Sequence, residues 1–213
     1  MRRSISALGV VALMLAARAA GAQSSPCDFL TGGGYVFNSL NNSSRANFGV
    51  GGSCKTGGDG HRLWGHLEYV DHGGVSSGGS SVAPFKVHWT TITAYSFVDP
   101  NTRRICGTAT TNLPSPNDTV NWVVTATDNE GSTDMFMIQV VGPTMAYSTG
   151  DEAVAGGVIE IHPPNPSTTT GSFSTLDPTN CPAFVTPMCP PGQFFCPFEI
   201  NMCEPNGSSC PPD

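Results

Sequence analysis

Charge is scarce in this chain: 12% of its 213 residues are charged, and only nine are Lys or Arg. So few cations cannot neutralise a run of nucleic-acid phosphates or hold a protein on anionic lipid. Long apolar runs are scarce as well, since nothing after the first twenty residues approaches the roughly 18 consecutive apolar residues of a membrane helix. The Gly-x-Ser-x-Gly elbow of an α/β-hydrolase is missing, although a Ser/His/Asp triad on another frame stays open. The close C-x₂₋₄-C pairs of a structural zinc knot are missing too. What is plentiful is glycine (25) and proline (18), with Ser, Thr and Asn between short apolar alternations. That is the composition of many short strands joined by long turns.

The chain begins with Met1, Arg2 and Arg3, continues through an apolar run from Ile5 to Ala17 and reaches Ala20-Gly-Ala22. This order of charged, apolar and small-residue segments predicts a signal peptide over residues 1–22. The first cysteine is Cys27, away from the cleavage point, so a lipoprotein anchor is not expected. With Arg2, Arg3 and Arg18 removed, six basic face sixteen acidic side chains, a net charge of −10. The expectation is a secreted protein, in the extracellular space, on the cell surface or in the periplasm.

Two runs rich in β-branched and aromatic residues, Val120–Thr127 and Met135–Val141, flank the polar segment 128–134 and predict the central antiparallel hairpin. Trp122, Val124 and Ala126 share one face of its first strand, and Phe136, Ile138 and Val140 one face of its second. Similar alternations occupy residues 32–37, 45–54, 62–71, 85–97, 103–111, 145–147 and 157–162. Residues 73–81, nearly all Gly and Ser, read as a surface loop with too little apolar content to order itself. The fold class is all-β, an antiparallel β-sandwich of eight or nine strands over residues 23–162. A Pro/Ser/Thr linker over 163–180 leads to a small disulfide-rich tail over 181–213.

All eight cysteines follow the signal segment, and an even count in an exported chain reads as disulfides. Cys54 and Cys106 both lie on strands of the body and are expected to pair. Cys27 then takes Cys181, clasping leader to tail. Cys189, Cys196, Cys203 and Cys210 leave three connectivities open. Prolines at 190, 191, 197 and 205 exclude a helix there, so bridges must stabilise the tail.

Several stretches carry a family likeness: residues 65–72 (GHLEYVDH), 105–109 (ICGTA), 124–128 (VTATD), Asp134-x-Phe-x-Ile138, and 156–162 (GGVIEIH). Together, from about Leu30 to His162, they resemble the post-COAP module of bacterial exported proteins, named for following "choice-of-anchor" domains. The resemblance implies a β-sandwich of extracellular, often multidomain, proteins, and no catalytic residues. One departure stands out. Where the family carries charged outward residues after Asp134, this chain has Met135, Met137 and Gln139.

Candidate sites are few. His66 and Glu68 share a strand face, and His88 across the sheet would complete a three-ligand metal set. Glu68 and Asp71 fall on opposite faces, which defeats a glycosidase carboxylate pair. Asp128, Glu130 and Asp134 crowd one loop and suit calcium, though without the order of a dedicated calcium loop. Among Trp64, Trp89 and Trp122, only Trp64 falls on an outward face able to stack a sugar. Asn41, Asn42, Asn117 and Asn206 open N-x-Ser/Thr sequons. Met135, Met137 and Val141 make an outward apolar strip that calls for a cover, either the tail or a neighbouring subunit.

The expectation is a non-catalytic structural or adhesive module that self-associates or meets another extracellular protein. A carbohydrate- or calcium-dependent binding module is the alternative, and a small hydrolase the third. No catalytic residue is assigned, and calcium is the one cofactor considered.

Overall fold

A computed structural model describes residues 27–54, 63–77, 80–165, 181, 193–195 and 203–205. The expected signal segment, and most of the linker and tail, lie outside the described residues.

The body is built from β1 (Phe29–Asn38), β2 (Ser44–Ser53), β3 (Gly65–Asp71), β4 (Val75–Ser77), β5 (Ser80–Val82), β6 (Phe85–Asp99) and β7 (Thr102–Thr111). It continues with β8 (Thr119–Thr127), β9 (Met135–Val141), β10 (Ala146–Ser148), β11 (Glu152–Ala153) and β12 (Gly156–His162). One antiparallel sheet runs in the order β10-β9-β8-β7-β6-β3-β2-β1-β12, and β11 also pairs with β9. In the tail, β13 (Gln193–Phe195) pairs with β14 (Cys203–Pro205).

The sheet folds over on itself. Phe48 of β2 stacks on Phe136 of β9 with centroids 4.0 Å apart, and Tyr69 of β3 meets both Phe136 and Tyr147. Strands distant in sheet order thus face each other across one core, as a two-layered β body requires. The central hairpin forms as its alternation predicts: Trp122, Val124, Ala126, Phe136, Ile138 and Val140 are all fully buried. The Trp122 indole Nε1 donates to the Thr108 carbonyl at 3.0 Å, which satisfies its one polar atom inside the core.

The two ends of the sheet are drawn together by the chain between β11 and β12. Val154 N donates to Asp134 O and Ala155 N to Tyr35 O, each at 2.9 Å. The outer edge of β12 is then gripped by side chains: Ile159 N donates to Asp134 Oδ2 at 2.8 Å and Ile161 N to Asp128 Oδ2 at 2.9 Å. A strand edge with its amides taken is closed to further strand addition.

Three expectations change. Residues 73–81 are not simply a loop, because β4 and β5 form a short ladder and Val75 is buried. The inward-pointing Val75 is the apolar contact that a Gly/Ser-rich composition hides. On β6, strict alternation places Ile92 with His88 on the outward side, yet Ile92 is buried in the main core. Register shifts between Trp89 and Thr91 and between Ile92 and Ala94 reverse the faces. Gly107 opposite makes room, since a Cβ there would lie 1.9 Å from the Thr91 carbonyl oxygen.

The third change is the cysteine pairing. Cys27 bonds Cys54, not Cys181, and Cys106 bonds Cys181, not Cys54. The β1–β2 register, with Phe29 opposite Ser53, brings the two ends of that hairpin together, so Cys27 and Cys54 meet. Cys106 follows inward-facing Ile105 and therefore points out of the sheet, where no cysteine of the body reaches it.

Candidate functional site

The ionisable groups divide by the side of the sheet they face. Asp71, at the inner end of β3, is fully buried and gathers five donors. Its Oδ2 accepts from Asn38 Nδ2 (3.0 Å), Asn41 Nδ2 (2.8 Å) and Tyr147 OH (2.6 Å). Its Oδ1 accepts from Ser44 Oγ (2.6 Å) and Gly73 N (2.8 Å). The Tyr69 hydroxyl bonds that of Tyr147 in turn. Burial pushes both phenols well above the ordinary tyrosine range, and Asp71 adds to the rise. These tyrosines are neutral donors at any physiological pH, suited to holding a carboxylate rather than to giving up a proton.

A second buried cluster joins the start of β1 to the end of β6 and the start of β7. The Arg103 guanidinium meets Asp28 through Nη2–Oδ2 at 2.5 Å and Nε–Oδ1 at 3.1 Å. Its Nη1 donates to the carbonyls of Asp99 and Thr102, and Tyr95 OH donates to Asp28 Oδ1 at 2.7 Å. Burial pushes the Tyr95 phenol far up, with Asp28 contributing. The sequence signal for this cluster is weak: an arginine two positions from Ile105 shares its inward face.

The outward face of β1, β2, β3 and β6 presents the remaining candidates. Glu68 and His88, directly opposite in the β3–β6 register, meet in an exposed side-chain contact. His66 lies on the same face but sits against Gly51, and Trp64 approaches it edge-on with centroids 6.4 Å apart. Partial burial lowers the His66 pKa, opposed by the nearby Glu68 charge. Two members of the expected trio therefore meet while the third belongs to a ring contact. No group of three metal-ligating side chains gathers among the described residues. Trp64 is 38% exposed, whereas Trp89 packs against the core and Trp122 lies within it. Beside this group Gly33 and Gly49 pair across β1–β2, and a Cβ on Gly49 would meet nothing within 4 Å.

The acidic loop of the central hairpin has a structural task. Asp128 and Asp134 hold the β12 amides, and Asp134 Oδ1 also accepts from Asn129 N at 3.0 Å. Glu130 is exposed at the loop tip. A calcium ion here would compete with backbone donors for the same oxygens. Of the sequon asparagines, Asn41 uses its amide on Asp71 and on Gly74 O, and Asn117 donates to Thr144 Oγ1. Asn42 is exposed at the β1–β2 turn, and Asn206 lies outside the described residues.

Met135, Met137 and Val141 alternate outward along β9 and are half-buried. On the same outward side Cys106, Ala94, Val123 and Cys181 form a separate small apolar cluster.

Comparison with protein-family models, curated proteins and solved structures finds no match to this chain. The two disulfides among the described residues fit an oxidising, non-cytoplasmic setting. Among the described residues no helix is long and apolar enough to cross a membrane.

Proposed function

We propose that this chain is a non-catalytic exported module with a structural or adhesive task, and that it meets its partner through the outward face of the sheet. One observation supports this best. The buried ionisable groups Asp28, Arg103 and Asp71 are fully engaged in holding strands together, each with its partners inside the fold. Side chains so occupied are poor acids, bases or nucleophiles, because a reacting group must be free to exchange its proton or reach a substrate. The resemblance to post-COAP modules points the same way, to an extracellular β domain with no reaction of its own.

Carbohydrate binding is the second reading, favoured by Trp64. Its exposed ring beside His66, which itself lies over Gly51, offers a stacking surface with a polar flank.

The test uses the oxidised full chain. Labelling by a fluorophosphonate probe and turnover of a panel of ester and glycoside substrates are measured beside co-sedimentation with cellulose, chitin and xylan. Absence of turnover together with self-assembly in sedimentation velocity supports the structural reading. Polysaccharide binding lost in Trp64→Ala moves the conclusion to the carbohydrate reading. Turnover or stoichiometric labelling sinks both.

A further inference from the structure

Among the described residues, two apolar areas lie on the outward side of β6–β9, and Cys181 covers the first of them. Over β6–β8, Val123 is 4% exposed and Ala94 3%, although both belong to the outward cluster. Cys181 is seated on them: it is 1% exposed, its Cα is 5.7 Å from that of Cys106, and its Sγ lies 3.5 Å from the Ala94 carbonyl oxygen. One residue of the C-terminal segment is thus covalently fixed against the outer face of the body. The second area is the strip Met135, Met137 and Val141 on β9.

The two areas lie near each other across β8, with polar Gln139 opposite Val123 and standing between Met137 and Val141 on the strip. Cys106 is registered with Val123, and Val123 with Gln139, so β9 lies two strands from the anchor, roughly 10 Å away. Thr125 lies between Arg104 and Met137 in the same way, and Cys181 Sγ is 3.8 Å from the Arg104 carbonyl oxygen. Residues 182–192, which lead from the anchor to β13, reach up to about 36 Å when extended. They can span the distance with slack.

The segment also needs a surface. Its described secondary structure is the pair β13–β14, three residues each. An isolated two-stranded pair is at best marginal in water. Bridges among the remaining cysteines would restrict the chain without giving it an apolar core, yet the sequence there supplies Phe184, Val185, Phe198 and Ile200. A short apolar segment tethered beside a half-buried apolar strip has a high effective concentration there, which favours docking in cis over capture of a second molecule. Methionine suits such a seat because it adapts to an irregular partner surface.

The geometry points to β9's outward strip, Met135, Met137 and Val141, as the docking surface for the chain's own residues 182–213, delivered by the Cys106–Cys181 bond. This is independent of whether the module is adhesive.

Two measurements on the oxidised full chain decide it. In the first, peroxide oxidation of Met135 and Met137 is followed by peptide mass spectrometry against core Met145, over a hundredfold dilution range. Oxidation of the pair as slow as that of Met145, unchanged by dilution, is expected. Oxidation at the rate of an exposed peptide overturns the inference, and so does protection that disappears on dilution, which would make a second copy the occupant. In the second, the Met135→Arg/Met137→Arg variant is digested with limiting protease. Cleavage within residues 182–213 should accelerate about tenfold with the melting temperature of the body unchanged. Equal cleavage rates overturn the inference. Should the variant not fold, the oxidation measurement on the parent stands alone.

Discussion

Asp71 shows how much one residue carries in a fold with little charge. Its carboxylate is the common acceptor for groups on the β1–β2 turn, on the chain just after β3 and on β10. Hydrogen bonds to a charged group contribute about 1.5–3 kcal/mol each, and stranding buried donors costs more than the bond itself. Asp71→Ala is therefore expected to lower stability by at least about 3 kcal/mol, read by chemical denaturation at constant m-value. A loss under about 1 kcal/mol would mean that water replaces the carboxylate.

His66 supplies a pH dependence. Its folded-state pKa is below the ordinary 6.5, chiefly because burial disfavours the imidazolium. Above pH 6.5 the ring is neutral in both folded and unfolded chains, and its contribution to stability is fully present. As pH falls below 6.5 the unfolded chain takes up the proton first, so stability is lost until the folded ring protonates as well. The parent should lose melting temperature relative to His66→Gln as pH drops from about 7.5 to about 5. Parallel curves would show that the ring titrates alike in both states.

Among the elements, β12 is the one whose attachment is least expected. One edge pairs with β1 over seven residues, and the other is held by two carboxylates at the ends of the β8–β9 loop. Because each carboxylate takes a different amide, their loss should be separable. Amide exchange at Ile159 should accelerate in Asp134→Ala with Ile161 little changed, and the reverse should hold in Asp128→Ala. If both amides respond equally to either change, β12 opens as a unit and the carboxylates are not individual latches. The hairpin that carries them was legible beforehand: β8 and β9 fall where the alternation of Val120–Val141 places them. The task of its loop was not, because nothing in a loop sequence says which distant strand edge will lie beside it.

For the whole molecule, the disulfides divide the labour. Cys27–Cys54 closes the hairpin β1–β2 and joins cysteines 27 residues apart, for which chain entropy gives about 3.5 kcal/mol. Cys27→Ser/Cys54→Ser is expected to lose about that much stability while keeping the Cys106–Cys181 bond. Peptide mapping of the unreduced parent should recover Cys27 joined to Cys54 and Cys106 joined to Cys181. A Cys54–Cys106 peptide would require another β1–β2 register. The second bond, between residues 75 apart, attaches the C-terminal segment to the outside of the sheet, whereas the first belongs to the body alone.

Local pattern alone determined the all-β class, the absence of any helical period, the buried faces of β8 and β9, and the separation of exposed Trp64 from buried Trp122. Each depends on side chains alternating along one strand, a property that residues carry without reference to the rest of the chain. Tertiary structure decided which cysteines meet, where the β6 bulges reverse its faces, how Asp28 finds Arg103 75 residues away, and how the acidic loop closes the edge of β12. Those are questions of register and of the path of a folded-over sheet. A one-residue shift of register exchanges the two faces of a strand while leaving its composition and alternation unchanged, so they can be read only once the strands are paired.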